Sequence, residues 1–378
     1  MEKQTVSAYQ MGILFFVFMT GSSIINIPGP LISKAYNGAW LSLLVSGALG
    51  LLVLASILYL NKRYPGLSFV EYSRQLMGST LTALFCLITI SFLLQMQSGI
   101  VNDVGLFMVS SMLRESPIYA FTFLIFAVSA VTVRAGLEVM ARMFTLTMIL
   151  TTGCILLVLL IALPDYDPTQ LLPIMPKGIK PVLHGAYFTF GFPYVEVFLF
   201  TMLLPFVNKE SANKLSKTMV AALCINIIVL CVSCVCAIMI FGSFAGEMPY
   251  VLFSLARIVE FEEIVQRIES IIGMSLILGS YMKTSITLYV LNLFVSQVFG
   301  MKNSRALVMP LALMGFLMGL VSVDSATDWG RIVSTVHPVW SFTAFMIPLL
   351  LVLLLSLIRK PRTKPLGEPN IAKSNPSE

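Results

Sequence analysis

Charge is what this chain has least of. Only 11% of its 378 residues are charged, against 57% hydrophobic, whereas a soluble domain carries roughly a quarter charged residues. That shortage excludes an ordinary water-soluble globule and points to a protein with many membrane spans. Histidine is scarcer still. His184 and His337 are the only two, each lies near the end of an expected span, and both read as interfacial. No phosphate-binding Gly-rich loop, nucleophile elbow or zinc signature occurs. A membrane enzyme is therefore set aside, and no cofactor or metal is expected. The six cysteines all fall within or beside apolar segments, so no disulfide framework is suggested. Cys231-x-x-Cys234-x-Cys236 puts two thiols on one helix face and the third elsewhere, which reads as small buried packing residues. The net charge of +6 sits mostly in short loops and is no sign of nucleic-acid binding. A cleavable leader is not expected, because the first apolar run is too long and no A-x-A site follows it.

What the sequence has is apolar length. Stretches long enough to span recur about ten times, at roughly 9–33, 38–60, 82–113, 118–134, 139–163, 182–206, 216–243, 266–298, 306–322 and 335–358. The expected fold class is an all-α integral membrane protein. Residues 1–358 would form a single transmembrane domain in two repeats, about 9–163 and 182–358. Placing the N-terminus in the cytoplasm gives a Lys/Arg bias of about two to one toward the inner loops, and an even span count puts both ends inside. The Pro-rich stretch 164–181, "PDYDPTQLLPIMPKGIKP", reads as an ordered outer loop. The acidic stretch 247–269 reads as a short surface helix. The basic tail 359–378 reads as cytoplasmic and disordered.

Two spans are interrupted. The first contains "FMTGSSIINIPGP", with Gly21, Ser22 and Ser23 near its middle. The sixth contains "FTFGFPYVE", with Gly191 and Pro193 near its middle. Gly and Pro often mark only a kink in a membrane helix, but these breaks fall at matching positions of a five-plus-five arrangement. A broken helix frees N–H and C=O groups, which the bilayer tolerates only where a cavity, ion or ligand satisfies them. Half-helix ends of both signs suit a small zwitterion.

The first-span run "MTGSSIINIPGPLISKAYNGAWLSLLVSG" resembles the small-residue break of the amino acid–polyamine–organocation superfamily. The sixth-span run "YFTFGFPYVEVFLFTMLLPFVN" resembles that of the spore germination permeases, the B subunits of nutrient germinant receptors. The resemblance covers nearly the whole chain. It implies a LeuT-like five-plus-five inverted repeat and residence in the inner membrane of a bacterial endospore. It also implies the sensing of a small nutrient, an amino acid or similar, and a complex with an A subunit and a lipoprotein C subunit. Membrane lipid is the remaining partner. A proton-coupled amino acid or amine permease is the alternative. Asn26 followed by Pro28-Gly29-Pro30 is more polar and more kinked than the family pattern. Asn26 is expected to bond backbone that the prolines leave unpaired.

In that fold the ligand would lie between the first and sixth spans. Gly21, Ser22, Ser23 and Gly191 would contact it, and Val101 and Leu199 would shape its side-chain pocket. Thr287 would offer a hydroxyl. Three ionisable residues lie inside spans: Asp103, Glu196 and Lys283. Such groups are costly in lipid and normally face the protein interior. Lys283 would stand in for a bound cation and bond carbonyls freed at Gly21–Ser23, or form a salt bridge with Asp103, two roles that do not exclude each other. It would also suit a proton site. Asp103 would neutralise Lys283, bond a neighbouring helix or line the site. Glu196, in the first turn after Pro193, would be held by the helix dipole or would bind a ligand ammonium or a proton.

Overall fold

In a computed structural model of the chain, residues 5–258, 268–301, 303–322 and 325–359 are described. All the named elements are helical. The first span is three successive pieces: α1 (Ala8–Thr20), α2 (Ser23–Asn26) and α3 (Pro28–Ala35). A capping box starts it. Ser7 Oγ accepts from the Gln10 N–H, and Gln10 Oε1 accepts from the Ser7 N–H, which satisfies two orphan donors. The remaining elements follow as α4 (Ala39–Arg63), α5 (Phe69–Met77), α6 (Ser79–Phe107), α7 (Ile118–Ala135), α8 (Leu137–Ile161) and α9 (Ile179–Gly191). A 3-10 segment, Tyr194–Met202, continues the sixth span. Then come α10 (Ala212–Phe241), α11 (Val251–Ile258), α12 (Glu269–Val298), α13 (Val308–Ser322), α14 (Ala326–Ser341) and α15 (Ile347–Ile358). A π-helical turn, Phe342–Met346, joins the last two into one span.

Among the described residues, nine segments are long and apolar enough to cross a membrane. The sixth expected span is missing from that set because it is divided at Gly191, and with it the expected ten are all present. α1 packs along α10 and α8, while α12 runs against α6, α7 and α8. The segment Tyr194–Met202 is sealed between α4, α1 and α12. Buried apolar residues of these elements form one contiguous cluster.

One local reading is corrected, and one helix is added. α5 lies between the second and third expected spans and was not anticipated. It is a short amphipathic helix, capped by Ser68 and Glu71, that buries Phe69 and Tyr72. The helix expected on the surface over 247–269 is α11, and its Val251, Leu252 and Leu255 are buried against α12 and the first span. Glu260, Glu262 and Glu263 lie outside the described residues, as does the tail beyond Arg359. The loop expected over 164–181 contains two 3-10 turns, Leu163–Asp165 and Pro168–Leu171, and is held by Asn37, whose amide donates to the carbonyls of Gln170 and Pro173; α9 begins within it at Ile179.

Candidate functional site

The two breaks differ in depth. At the first, Gly21 and Ser22 keep right-handed helical dihedrals, so the chain is interrupted without being redirected. Gly21 is there for packing. A Cβ on it would lie 2.6 Å from the Gly279 carbonyl oxygen, so α1 and α12 touch backbone to backbone. At the second break, α9 ends at Gly191 and Phe192 turns extended, with φ −148° and ψ 110°. A Cβ on Gly191 would lie 2.6 Å from the Pro338 Cα, and the freed Gly191 carbonyl accepts from Ser341 Oγ. Both glycines therefore permit close approach of another span. The second disruption, at Ile27, has its own cause. Pro28 opens α3 at a position where its missing N–H is not needed. Gly29 faces the Met248 carbonyl so closely that any Cβ would collide.

Between these breaks lies a cavity. Ser22 and Asn26 from the first span, Phe92, Gln95 and Asp103 from α6, and Phe192 and Glu196 from the sixth span all line it. α14 closes it with Trp329, Val333, Val336, His337 and Trp340. These α14 residues recur at helical spacing on one face, a signal present in the sequence that the reading of its motifs passed over. Trp329 fits because α6 has no side chain at Gly99, where a Cβ would meet the indole.

Two carboxylates face this space, and they are held differently. Lys283 Nζ donates to Glu196 Oε2 at 2.7 Å, with both side chains sealed from solvent. The ammonium also sits over the Phe192 ring at 4.2 Å and the Phe18 ring at 5.0 Å. The other oxygen, Glu196 Oε1, is 3.5 Å from His337 Nε2. Neither of those atoms has a hydrogen-bond partner among the described residues. Asp103 instead accepts from the Asn26 amide and, at 3.4 Å, from the Tyr250 hydroxyl. Burial and the neighbouring Asp103 charge push the Tyr250 phenol above its ordinary range, so it stays a donor.

Several expected contacts are therefore rearranged. The partner of Lys283 is Glu196, not Asp103, because the 3-10 segment rather than α6 presents its carboxylate to that face of α12. Among the described residues, Lys283 makes no hydrogen bond to carbonyls at Gly21–Ser23. Asn26 bonds Asp103 rather than backbone. His337, expected at the interface, is a cavity residue. Of the expected ligand contacts, Ser22, Asp103 and Glu196 line the cavity. Gly21 and Gly191 are taken up by helix contacts. Ser23, Val101 and Leu199 are fully buried outside the lining, and Thr287 Oγ1 is spent on the Lys283 carbonyl. Cys231, Cys234 and Cys236 are free thiols, and no metal-binding cluster occurs among the described residues.

Solved structures share this architecture. A Na+-coupled sialic acid symporter in a substrate-bound outward-open state matches with TM-score 0.64 and 13% identity, covering 91% of this chain and 79% of its own. MhsT in complex with L-phenylalanine matches with TM-score 0.64 and 13% identity, covering 94% of this chain and 99% of its own. At such identity the likeness establishes the fold, an all-helical membrane architecture of the LeuT type. In sequence the chain is 29% identical over 377 residues to spore germination protein KB of Bacillus subtilis (strain 168), covering 97% of this chain and 99% of that relative. Residues 5–325 match the family model described as "Spore germination protein", and the chain accordingly belongs to the spore germination permease family, non-enzymatic proteins of the membrane.

Proposed function

We infer that this chain is the B-type membrane subunit of a nutrient germinant receptor in the inner membrane of an endospore. Both termini would lie on the core side, with an A subunit and a lipoprotein C subunit as partners. Family membership and the loop charge bias support this reading. The observation that carries it is the cavity where the first, third and sixth spans bring Ser22, Asn26, Asp103 and Glu196 together. In it a small germinant contacts both interrupted spans at once. Binding shifts the protein between two packings of those spans only to the extent that the ligand prefers one of them. Partner subunits read the shift.

The experiment is a nutrient screen on spores lacking this gene, complemented by the wild-type gene. Loss of the response to a defined nutrient, restored on complementation, is the expected result. Unchanged germination with every nutrient overturns the reading. The row Lys283, Glu196 and His337, leading from the sealed interior to the cavity, favours a second reading as a proton-coupled permease. Uptake of a radiolabelled nutrient by the purified protein in vesicles, at permease rates and driven by a pH gradient, would establish that instead.

A further inference from the structure

We propose that a second recess, separate from the central cavity, is a binding site for one acyl chain of a bilayer lipid, which lies against the back of the first-span break. The recess encloses about 330 Å³ between the first span, α8, α10 and α12. Val17, Thr20, Gly21 and Ile24 of the first span form its floor. At its mouth stand Leu156 of α8 and Ile225, Ile228 and Val232 of α10, each between 45% and 61% exposed. The lining residues belong to segments long and apolar enough to cross a membrane. The mouth on α10 lies near the middle of its span, so it opens to hydrocarbon rather than to water.

The lining selects hydrocarbon. Among the described residues it holds no charged side chain and no buried side-chain polar atom without a partner. Its hydroxyls are engaged within the protein. Thr151, Ser233 and Ser275 donate to carbonyls of their own helices, and Thr20 Oγ1 accepts from the Asn226 amide at 2.9 Å. A polar occupant would find nothing to bond. The recess is also too narrow to take in a neighbouring helix, which is about 10–12 Å across, whereas a single flexible chain can enter by its free end. Lipid tails are as apolar as leucine, so the chain is held by van der Waals contact with the walls and not by escape from water. An unfilled recess would forfeit those contacts. The two spaces share thin walls. Gly21 faces the recess while Ser22 lines the central cavity, and Met282 faces the recess while Lys283 pairs with Glu196 of the cavity wall. The chain therefore gives the bilayer direct contact with the backbone whose other face forms the cavity.

The test uses the full chain in nanodiscs of phosphatidylglycerol and phosphatidylethanolamine, doped with a phosphatidylglycerol that carries a diazirine in one acyl chain. After illumination, the labelled residues are located by peptide mass spectrometry. Label is expected on Val17, Thr20, Gly21 or Ile24, which a chain reaches only through the recess. It is not expected on Phe18 or Met19, which are fully buried on the same helix but outside the lining. This comparison needs no variant. Thr152→Trp, which fills the recess, and Ile228→Trp, which bars its mouth from the lipid side, are each expected to lower the first-span label several-fold. Label on the lipid-facing Leu124 and Val131 of α7 should stay the same. Ile228 is 61% exposed, so its variant is expected to fold and carries the comparison alone if Thr152→Trp does not accumulate. First-span label no greater than that on Phe18 and Met19, or label undiminished in Ile228→Trp, overturns the proposal. A recess shielded from label in a protein that runs as a dimer by light scattering would assign it to a second copy and overturns it equally. None of these outcomes depends on a nutrient response, so the receptor reading stands or falls separately.

Discussion

Lys283 and Glu196 form an ion pair at 2.7 Å inside the membrane domain, each sealed from solvent and each on a different span. The pair ties α12 to the 3-10 half of the sixth span, the part freed from regular helix by Gly191 and Pro193. Removing one partner strands the other as an uncompensated buried charge. Lys283→Met and Glu196→Gln are each expected to destabilise the protein by about 3–5 kcal/mol. The double variant should recover a large part of that loss. Thermal unfolding of the purified proteins across the double-mutant cycle measures the coupling, and additive losses would show that the contact carries no energy.

The glycine contacts give a sharper comparison, because they separate packing from flexibility. Gly21→Ala forces a methyl group against the Gly279 carbonyl, 2.6 Å away, where the neighbour is backbone and cannot swing aside. A loss of about 1–3 kcal/mol is expected, as for other overpacked sites. Gly153 in α8 has open space around its Cα. Gly153→Ala should be neutral or stabilise by up to about 1 kcal/mol through reduced chain entropy. Equal melting temperatures for the two variants would remove the backbone contact from the account.

The spans were legible in the sequence because a bilayer demands long apolar runs, and the breaks because Gly and Pro have few other reasons to stand where "FTFGFPYVE" does. The partner of Lys283 was not legible. It depends on how α12 is rotated relative to Tyr194–Met202, and an eighth span with one mid-span charge reads the same whichever carboxylate faces it. The role of α14 was overlooked for a related reason. Trp329, His337 and Trp340 are ordinary residues for the end of a membrane span, and only the closure of α14 over the cavity gives His337 a place beside Glu196. The "NIPGP" stretch illustrates a third limit. Its glycine answers to the Met248 carbonyl, more than two hundred positions along the chain.

Asp103 depends on three donors from other parts of the fold, the Asn26 amide, the Tyr250 hydroxyl and the Trp329 side chain. Asn26→Leu is expected to cost about 1–3 kcal/mol, the penalty for leaving a buried acceptor without its donor. The loss should shrink markedly when Asp103→Leu is already present, because no acceptor then remains to be stranded. Tyr250→Phe should behave alike but more weakly, since its contact is long at 3.4 Å. Accumulation and thermal unfolding of the single and paired variants measure this. An Asn26→Leu loss unchanged by Asp103→Leu would mean that Asn26 acts through something other than the carboxylate.

The fit of Trp329 against Gly99 links stability to nutrient response. The indole lies over the bare α6 backbone and forms part of the cavity wall. Gly99→Val would displace that ring while leaving the buried ion pair and both interrupted spans untouched. Trp329 is only partly buried, so it has room to swing, and the variant is expected to accumulate normally. Its nutrient response should suffer instead. The concentration giving half-maximal germination is expected to rise about tenfold, the effect of losing one aromatic anchor. Trp329→Ala should reproduce the shift, and Gly99→Val in a Trp329→Ala background should add little. Normal nutrient sensitivity in Gly99→Val spores carrying normal amounts of the protein would remove α14 from the binding wall.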